Sequence, residues 1–166
     1  MTVVNIRPAE PRDAAAIADV YNQAVLHSTE TFDTEPVTVG SRVAWLEEHS
    51  SPHHPVLVAE TPEGQVVGWA SLSAWSDRCA YAATVEASTY VDEAFRGQGM
   101  GTALSRAVLD AGAEAGVHAV LARICTENEA SIAMSKRLGF TEVGILYEVG
   151  CKFGRMLDVA ILEKLL

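Results

Sequence analysis

The feature that most restricts how this 166-residue chain can fold is the run Arg96-Gly97-Gln98-Gly99-Met100-Gly101. Three glycines within five positions permit a tight backbone path and let a ligand approach with no Cβ in the way. The residues before it, Thr84 to Val91, read as a strand. On that strand Glu86, Ser88 and Tyr90 share one face, and Val85, Ala87, Thr89 and Val91 the other. After the run, Leu104, Val108, Ala111 and Ala115 mark a helix that Gly116 ends. The run is therefore a turn from strand into helix. Free N–H groups and the positive end of the dipole at such a helix start suit a phosphate. A strand carboxylate, Glu86, a few residues before that cradle points to a catalytic site that takes an anionic cofactor.

The remaining segments supply the sheet and helices around this unit. Thr2 to Arg7 reads as a first strand, closed by Pro8 and Pro11, and Pro11 to Leu26 as an amphipathic helix through Ile17, Val20, Tyr21, Ala24 and Val25. The polar loop His27 to Thr34 carries Phe32, which is either a wall of the substrate site or a plug at the core edge. Val37 to His49 reads as a second helix, with Val43 and Leu46 inward. Val56 to Glu60 and Gln65 to Ser73 are strands joined by Pro62-Glu63-Gly64. Val117 to Cys125 is apolar enough for a strand buried on both faces. Thr126 to Glu129 offers a capping box to a helix with Ala130, Ala133, Met134 and Leu138 inward and Gly139 as its stop. Thr141 to Val149 and Leu157 to Leu162 are the last strands, linked by Gly150 to Arg155. The expectation is one α/β domain, residues 1–166, on a mixed sheet.

Charge and cysteine content narrow the partners. A net charge of −10 leaves no basic excess for nucleic acid, although local amides and a few cations can still hold an anionic cofactor. The three cysteines, Cys79, Cys125 and Cys151, lack metal-ligand spacing and suit reduced thiols in the cytoplasm. His53 and His54 are adjacent, so their side chains diverge, and a metal site is not expected there. No signal peptide is expected at the N-terminus, and no apolar stretch approaches the roughly 20 residues of a membrane span.

A Rossmann fingerprint would need its glycines after the first strand of a βαβ unit, and a Walker loop would need Gly-Lys-Ser/Thr; neither is present. The succession of strand, Arg96-x-x-Gly99-x-Gly101, helix, strand, Asn128-x-x-Ser131 helix and Leu138-Gly139-Phe140 instead resembles the GCN5-related N-acetyltransferases over nearly the whole chain. Within them it looks like the phosphinothricin and methionine sulfoximine N-acetyltransferase branch. The residues that carry this closer likeness are Thr34-Glu35-Pro36 after Phe32, Trp75 with Arg78 and Tyr81, Glu86 before Tyr90-Val91, and Gly150-x-Lys152-x-Gly154 with Asp158-Val159.

The resemblance implies a mostly antiparallel central sheet flanked by helices, acetyl-CoA as cosubstrate, no metal, and a homodimer. It places the cofactor pyrophosphate on Arg96, Gly97, Gln98, Gly99, Met100, Gly101 and Thr102, and its pantetheine arm along Tyr90-Val91 with Asn128. A backbone N–H near Tyr90 or Val91 would meet the developing oxyanion. Glu86 matches the general base, which an amine needs because it is protonated at neutral pH; the plainer reading is a half-exposed strand charge. Ser135 stands where the family often has the Tyr or His that protonates the leaving thiolate, so it relays through water or binds cofactor. Phe32, Trp75, Arg78 and Glu86 would meet the acceptor, Arg78 taking its carboxylate or phosphinate unless it pairs with Asp77 at the surface. Ser76 and Met156 depart from the family pattern and leave amino-acid-like amines other than phosphinothricin open. The activity implied is direct acetyl transfer to the α-amine of a small amino acid or analogue. Polyamine or protein N-terminal acetylation, and a non-catalytic CoA-binding sensor, are the alternatives.

Overall fold

Seven β-branched or apolar runs are long enough to be strands, and each must pair with a neighbour to satisfy its backbone groups. In the computed structural model, which describes residues 3–166, they do. The chain order is β1 (Asn5–Pro8), α1 (Ala14–His27), α2 (Val39–Glu48), β2 (Val56–Glu60), β3 (Val66–Ala74), β4 (Thr84–Val91), α3 (Met100–Glu114), β5 (Ala119–Cys125), α4 (Glu129–Arg137), β6 (Thr141–Lys152) and β7 (Arg155–Leu165). The sheet order is β1-β2-β3-β4-β5-β7-β6. β4 and β5 run parallel, and the other neighbours pair antiparallel. The mixed, mostly antiparallel sheet expected from the sequence is thus observed.

The alternation of β4 sets its two faces. Thr89 reaches Ser105 of α3 (Oγ1 to Oγ, 2.9 Å), while Tyr90 packs edge-on against Tyr21 of α1 at 5.0 Å and beside Trp69 at 4.9 Å. Leu104, Val108 and Leu109 of α3 close over Leu72, Val85 and Val120 on one side. Ile17, Val20, Tyr21 and Val25 of α1 cover Val58 and Trp69 on the other. Arg7 anchors the start of α1, forking onto buried Asp13 at 2.8 and 2.9 Å and onto Glu60. Burial pushes the Asp13 carboxyl up, but the Arg7 fork and the Glu10 amide outweigh it and hold that group below its usual range.

Several boundaries differ from the sequence reading. The first strand begins at Asn5, and Thr2 lies outside the described residues. α2 starts at Val39, because Thr38 Oγ1 accepts the Ser41 N–H as N-cap and the Val37 N–H is taken by Asn22. The buried stripe of α3 runs through Leu104, Ser105, Val108, Leu109 and Gly112, with Ala111 and Ala115 at its margin. β5 is not buried on both faces, since Arg123 is exposed. The capping box at Thr126 does not form: its N–H still bonds Asp158 O (3.0 Å) as an extension of the sheet, and Asn128 caps α4 instead. The last hairpin turns on Phe153 and Gly154, with φ of 52° and 71°, so Gly150 to Lys152 belong to β6 and Arg155 to β7 rather than to a link.

One register feature matters most. β4 and β5 pair over Thr84↔Ala119, Val85↔Val120 and Glu86↔Leu121, and then part. From Ala87 to Val91, β4 stays bonded to β3 while its other edge opens into a slot.

Candidate active site

The slot continues into a cavity of about 890 Å³ that runs from Glu86 to the glycine turn. Phe32, Glu86, Tyr90, Val91, Arg96, Gly97, Gly99, Met100, Gly101, Thr102, Asn128 and Ser135 all line it. Gln98, Trp75 and Arg78 are not among the described residues that do.

The glycine turn forms one end. Gly97 and Gly99 adopt φ of 76° and 81°, and Gly99 is the N-cap of α3. A Cβ on Gly97 would meet nothing within 4 Å, so the turn uses glycine for its backbone angles and for open space above its amides. A 15-residue helix starts there with its first N–H groups toward the cavity wall. The Arg96 side chain is occupied elsewhere. Its Nε donates to Val91 O (3.0 Å) and its two Nη atoms to the Glu30 carboxylate (3.2 Å each). The guanidinium is thus committed to Glu30 and Val91, whereas the backbone turn is open to the cavity.

Ala130, Met134 and Leu138, read as the inward stripe of α4, line the slot with Ser135. Ala130 and Ala133 are exposed, and it is Ile132 and Leu138 that pack on the core. The apolar stripe of this helix therefore serves a ligand-sized gap. Cys125 also lines the cavity from the end of β5 and is 4% exposed.

Glu86 sits where the ladder ends, and it is paired. Arg123 donates from Nε to Oε1 (3.0 Å) and from Nη2 to Oε2 (2.6 Å), a bidentate fork. The Arg123 guanidinium in turn lies 5.5 Å from the centre of the Trp75 ring. Trp75 thus touches the cavity wall through Arg123. Arg78 is exposed in a separate concavity of about 270 Å³, with His53, His54, Asp77 and Cys79, which Glu86 does not line. Among the described residues no group of three or more His, Cys, Asp or Glu could hold a metal.

The loop from Thr29 to Asp33 forms the remaining wall, and buried polar groups pin it. Tyr21 donates to Asp33 (2.6 Å), which leaves the Thr31 hydroxyl to donate to the Tyr21 oxygen (2.7 Å). Burial first, and then the Asp33 carboxylate, push the Tyr21 phenol up to about 12, and burial likewise raises Tyr90. Both stay protonated at neutral pH, and Tyr90 donates to Glu30 O (3.4 Å). Lys152, 3% exposed, donates to Thr31 O (2.7 Å) and Ala24 O (3.3 Å), and burial pulls its ammonium down. A Cβ at Gly150 would collide with the Phe32 ring, so β6 is shaped to seat that side chain. Lys152 belongs to the Gly150-x-Lys152-x-Gly154 run, whereas the sequence reading assigns no site role to Arg123 or the Tyr21 network. Arg123 carries one visible signal, a charge within an otherwise apolar strand.

The arrangement can hold a phosphate-bearing thioester along an open strand edge, with a carboxylate beside the place where that edge begins. Comparison with known proteins agrees. A family model described as an acetyltransferase (GNAT) domain matches residues 4–141. The L-methionine sulfoximine/L-methionine sulfone acetyltransferase of Salmonella typhimurium is 38% identical over 160 residues, covering 96% of this chain and 93% of that one. The phosphinothricin N-acetyltransferase of Streptomyces coelicolor is 37% identical over 163 residues, covering 97% and 95%. The structure of a GNAT superfamily phosphinothricin acetyltransferase from Sinorhizobium meliloti in complex with acetyl-CoA superposes with a TM-score of 0.95 at 31% identity, covering 100% of this chain and 89% of that one.

Proposed function

The chain belongs to the GNAT acetyltransferases, and from that premise we propose that it moves the acetyl group of acetyl-CoA onto the α-amine of a small amino acid or analogue. Methionine sulfoximine, methionine sulfone and phosphinothricin are the acceptor types named for its relatives. The observation that carries the reading is the slot that opens immediately after Glu86↔Leu121, with the carboxylate at one end and the glycine turn at the other.

The residues present fit the cofactor. Backbone amides from Gly97 to Thr102 and the start of α3 hold its pyrophosphate. The unpaired edge of Ala87 to Val91 takes the pantetheine arm as an added strand. Asn128 uses Oδ1 to cap α4 (3.2 Å), so its amide N–H groups are the atoms for an acyl-arm carbonyl. Acetyl-CoA supplies an activated thioester carbonyl. Glu86 takes a proton from the incoming ammonium, leaving the nitrogen lone pair free to attack. Ser135, buried in the cavity wall, contacts the cofactor or a water that protonates the departing sulfur. Phe32 bounds the acceptor, Trp75 acts through Arg123, and Arg78 is left outside the acceptor site of its own chain. Transfer is direct, in a ternary complex.

Thiol release from acetyl-CoA with a panel of amines tests this. The expected result is highest kcat/KM with methionine sulfoximine, methionine sulfone or phosphinothricin. Preference for spermidine or an N-terminal peptide would replace the acceptor class. Tight acetyl-CoA binding with no release for any amine would leave a sensor and end the enzymatic reading.

The same reading includes a homodimer through β6, one of the two edge strands of the sheet. Val143, Ile145, Leu146, Tyr147 and Val149 are exposed along it, with Phe153 and Met156 at its hairpin. An apolar edge of this kind pairs with other chains unless it is covered. Leu146 and Val149 also line the cavity, so a second copy there would border the acceptor end. Sedimentation at micromolar concentration should give twice the chain mass; a monomer would overturn the dimer. The free thiols, two of them exposed, suit the cytoplasm. Among the described residues no helix is long and apolar enough to cross a membrane.

A further inference from the structure

We propose that Arg123 is the residue that recognises the acceptor's acidic group, and that until the acceptor arrives it holds Glu86 in check. This rests on the acetyltransferase reading above and adds the residue that selects for the α-carboxylate.

The fork between Arg123 and Glu86 is a poor candidate for a structural ion pair. The Arg123 side chain is 55% exposed and that of Glu86 20%, and a pair so solvated contributes little to stability. It is instead placed at the point where β4 and β5 part, with both residues lining the cavity. Trp75 lies against the guanidinium and limits where it can go. The fork uses Nε and one Nη, so further N–H donors remain for a second anion.

An α-amino acid carries an ammonium and an acidic group one carbon apart. That is the charge pattern of the pair itself with the signs exchanged. The ammonium replaces Arg123 on Glu86, and the α-carboxylate replaces Glu86 on Arg123. Each protein charge keeps a partner throughout, so the exchange leaves no bare charge in the slot. The base is then free to take one proton from the ammonium nitrogen. An amine with no acidic group offers Arg123 nothing and must break the fork without compensation. Of the other arginines that line the cavity, Arg96 is committed to Glu30 and Val91 and Arg137 stands in the last turn of α4, while Arg78 stands in the separate concavity.

The test measures kcat/KM for methionine sulfone and for the same compound lacking its carboxylate, 3-(methylsulfonyl)propylamine. Wild-type enzyme, Arg123→Ala and Arg123→Lys are compared, with KM for acetyl-CoA as the check that the fold is intact. Arg123→Ala should reduce the preference for the carboxylate by about 10- to 100-fold, the worth of a charge-assisted hydrogen-bonded pair. The loss should fall mainly on KM for methionine sulfone. The carboxylate-free amine should react faster than with wild type, because Glu86 is released, and Arg123→Lys should restore part of the preference. Thiol release with an unchanged preference in Arg123→Ala overturns the assignment and leaves the acetyltransferase reading standing. No release by wild-type enzyme with any amine overturns both.

Discussion

Replacing Glu86 by Gln should lower kcat by about 100-fold or more while KM for acetyl-CoA stays within about twofold. The two side chains have the same shape, and a Gln oxygen can still accept from Arg123 at the place where the Glu86 carboxylate now does. What is lost is the capacity to take a proton. An acceptor amine, with a pKa of roughly 8 to 10, arrives protonated at neutral pH and cannot attack a carbonyl until it loses that proton. The glycine turn lies at the other end of the cavity, which is why cofactor binding should not follow. The fold should not suffer either, because the partner removed from Arg123 belongs to a solvated pair. Without the base, the reaction depends on the small fraction of amine already neutral in solution. The rate of Glu86→Gln should therefore climb steadily as pH rises through the amine pKa, approaching wild type at high pH. Steady-state rates from pH 6 to 10 check this, and equal kcat values at neutral pH would remove Glu86 as the base.

The second large effect is on the cofactor. Gly99→Val should raise KM for acetyl-CoA by about 10- to 100-fold, the cost of misaligning backbone donors that meet a charged phosphate. Gly99 has φ of 81°, a region that a β-branched residue strongly resists, and it is the N-cap from which α3 starts. A valine there costs about 1–2 kcal/mol of strain, which the chain relieves by rotating the peptides that hold the open amides. Gly64 provides the control. It has φ of 85° in the turn between β2 and β3, a Cβ there would meet nothing within 4 Å, and it does not line the cavity. Gly64→Val should lose a similar few degrees of Tm without the change in KM. Equal KM values for the two variants would show that the turn at Gly99 only connects a strand to a helix.

Much of this site was legible from residue order. The Arg96 to Gly101 turn could be read because glycine angles and a helix start are local properties. Glu86 could be placed on one face because strand side chains alternate. The last hairpin turns more tightly than its sequence suggests, since Gly150 to Lys152 look like loop chemistry, yet in the fold Phe32 is seated on Gly150 and the strand continues. Within the α4 stripe Leu138 packs on the core while Ala130 and Met134 line the cavity, and apolar spacing cannot distinguish a protein neighbour from a ligand-sized gap. The role of Arg123 is not local, because it depends on Glu86, which lies 37 residues earlier in the chain.

The sequence by itself determined the glycine turn into a helix, the strand that leads into it and the carboxylate on that strand. These follow from backbone freedom, side-chain period and helix capping, which act over a few residues. Only the tertiary structure decided where β4 and β5 separate, which cation meets Glu86, that Arg78 stands apart, and that Lys152 and Tyr21 pin the loop carrying Phe32. Those outcomes depend on how α1 and α3 pack against the two faces of the sheet. Packing of that kind brings together residues whose separation along the chain carries no signal of their contact.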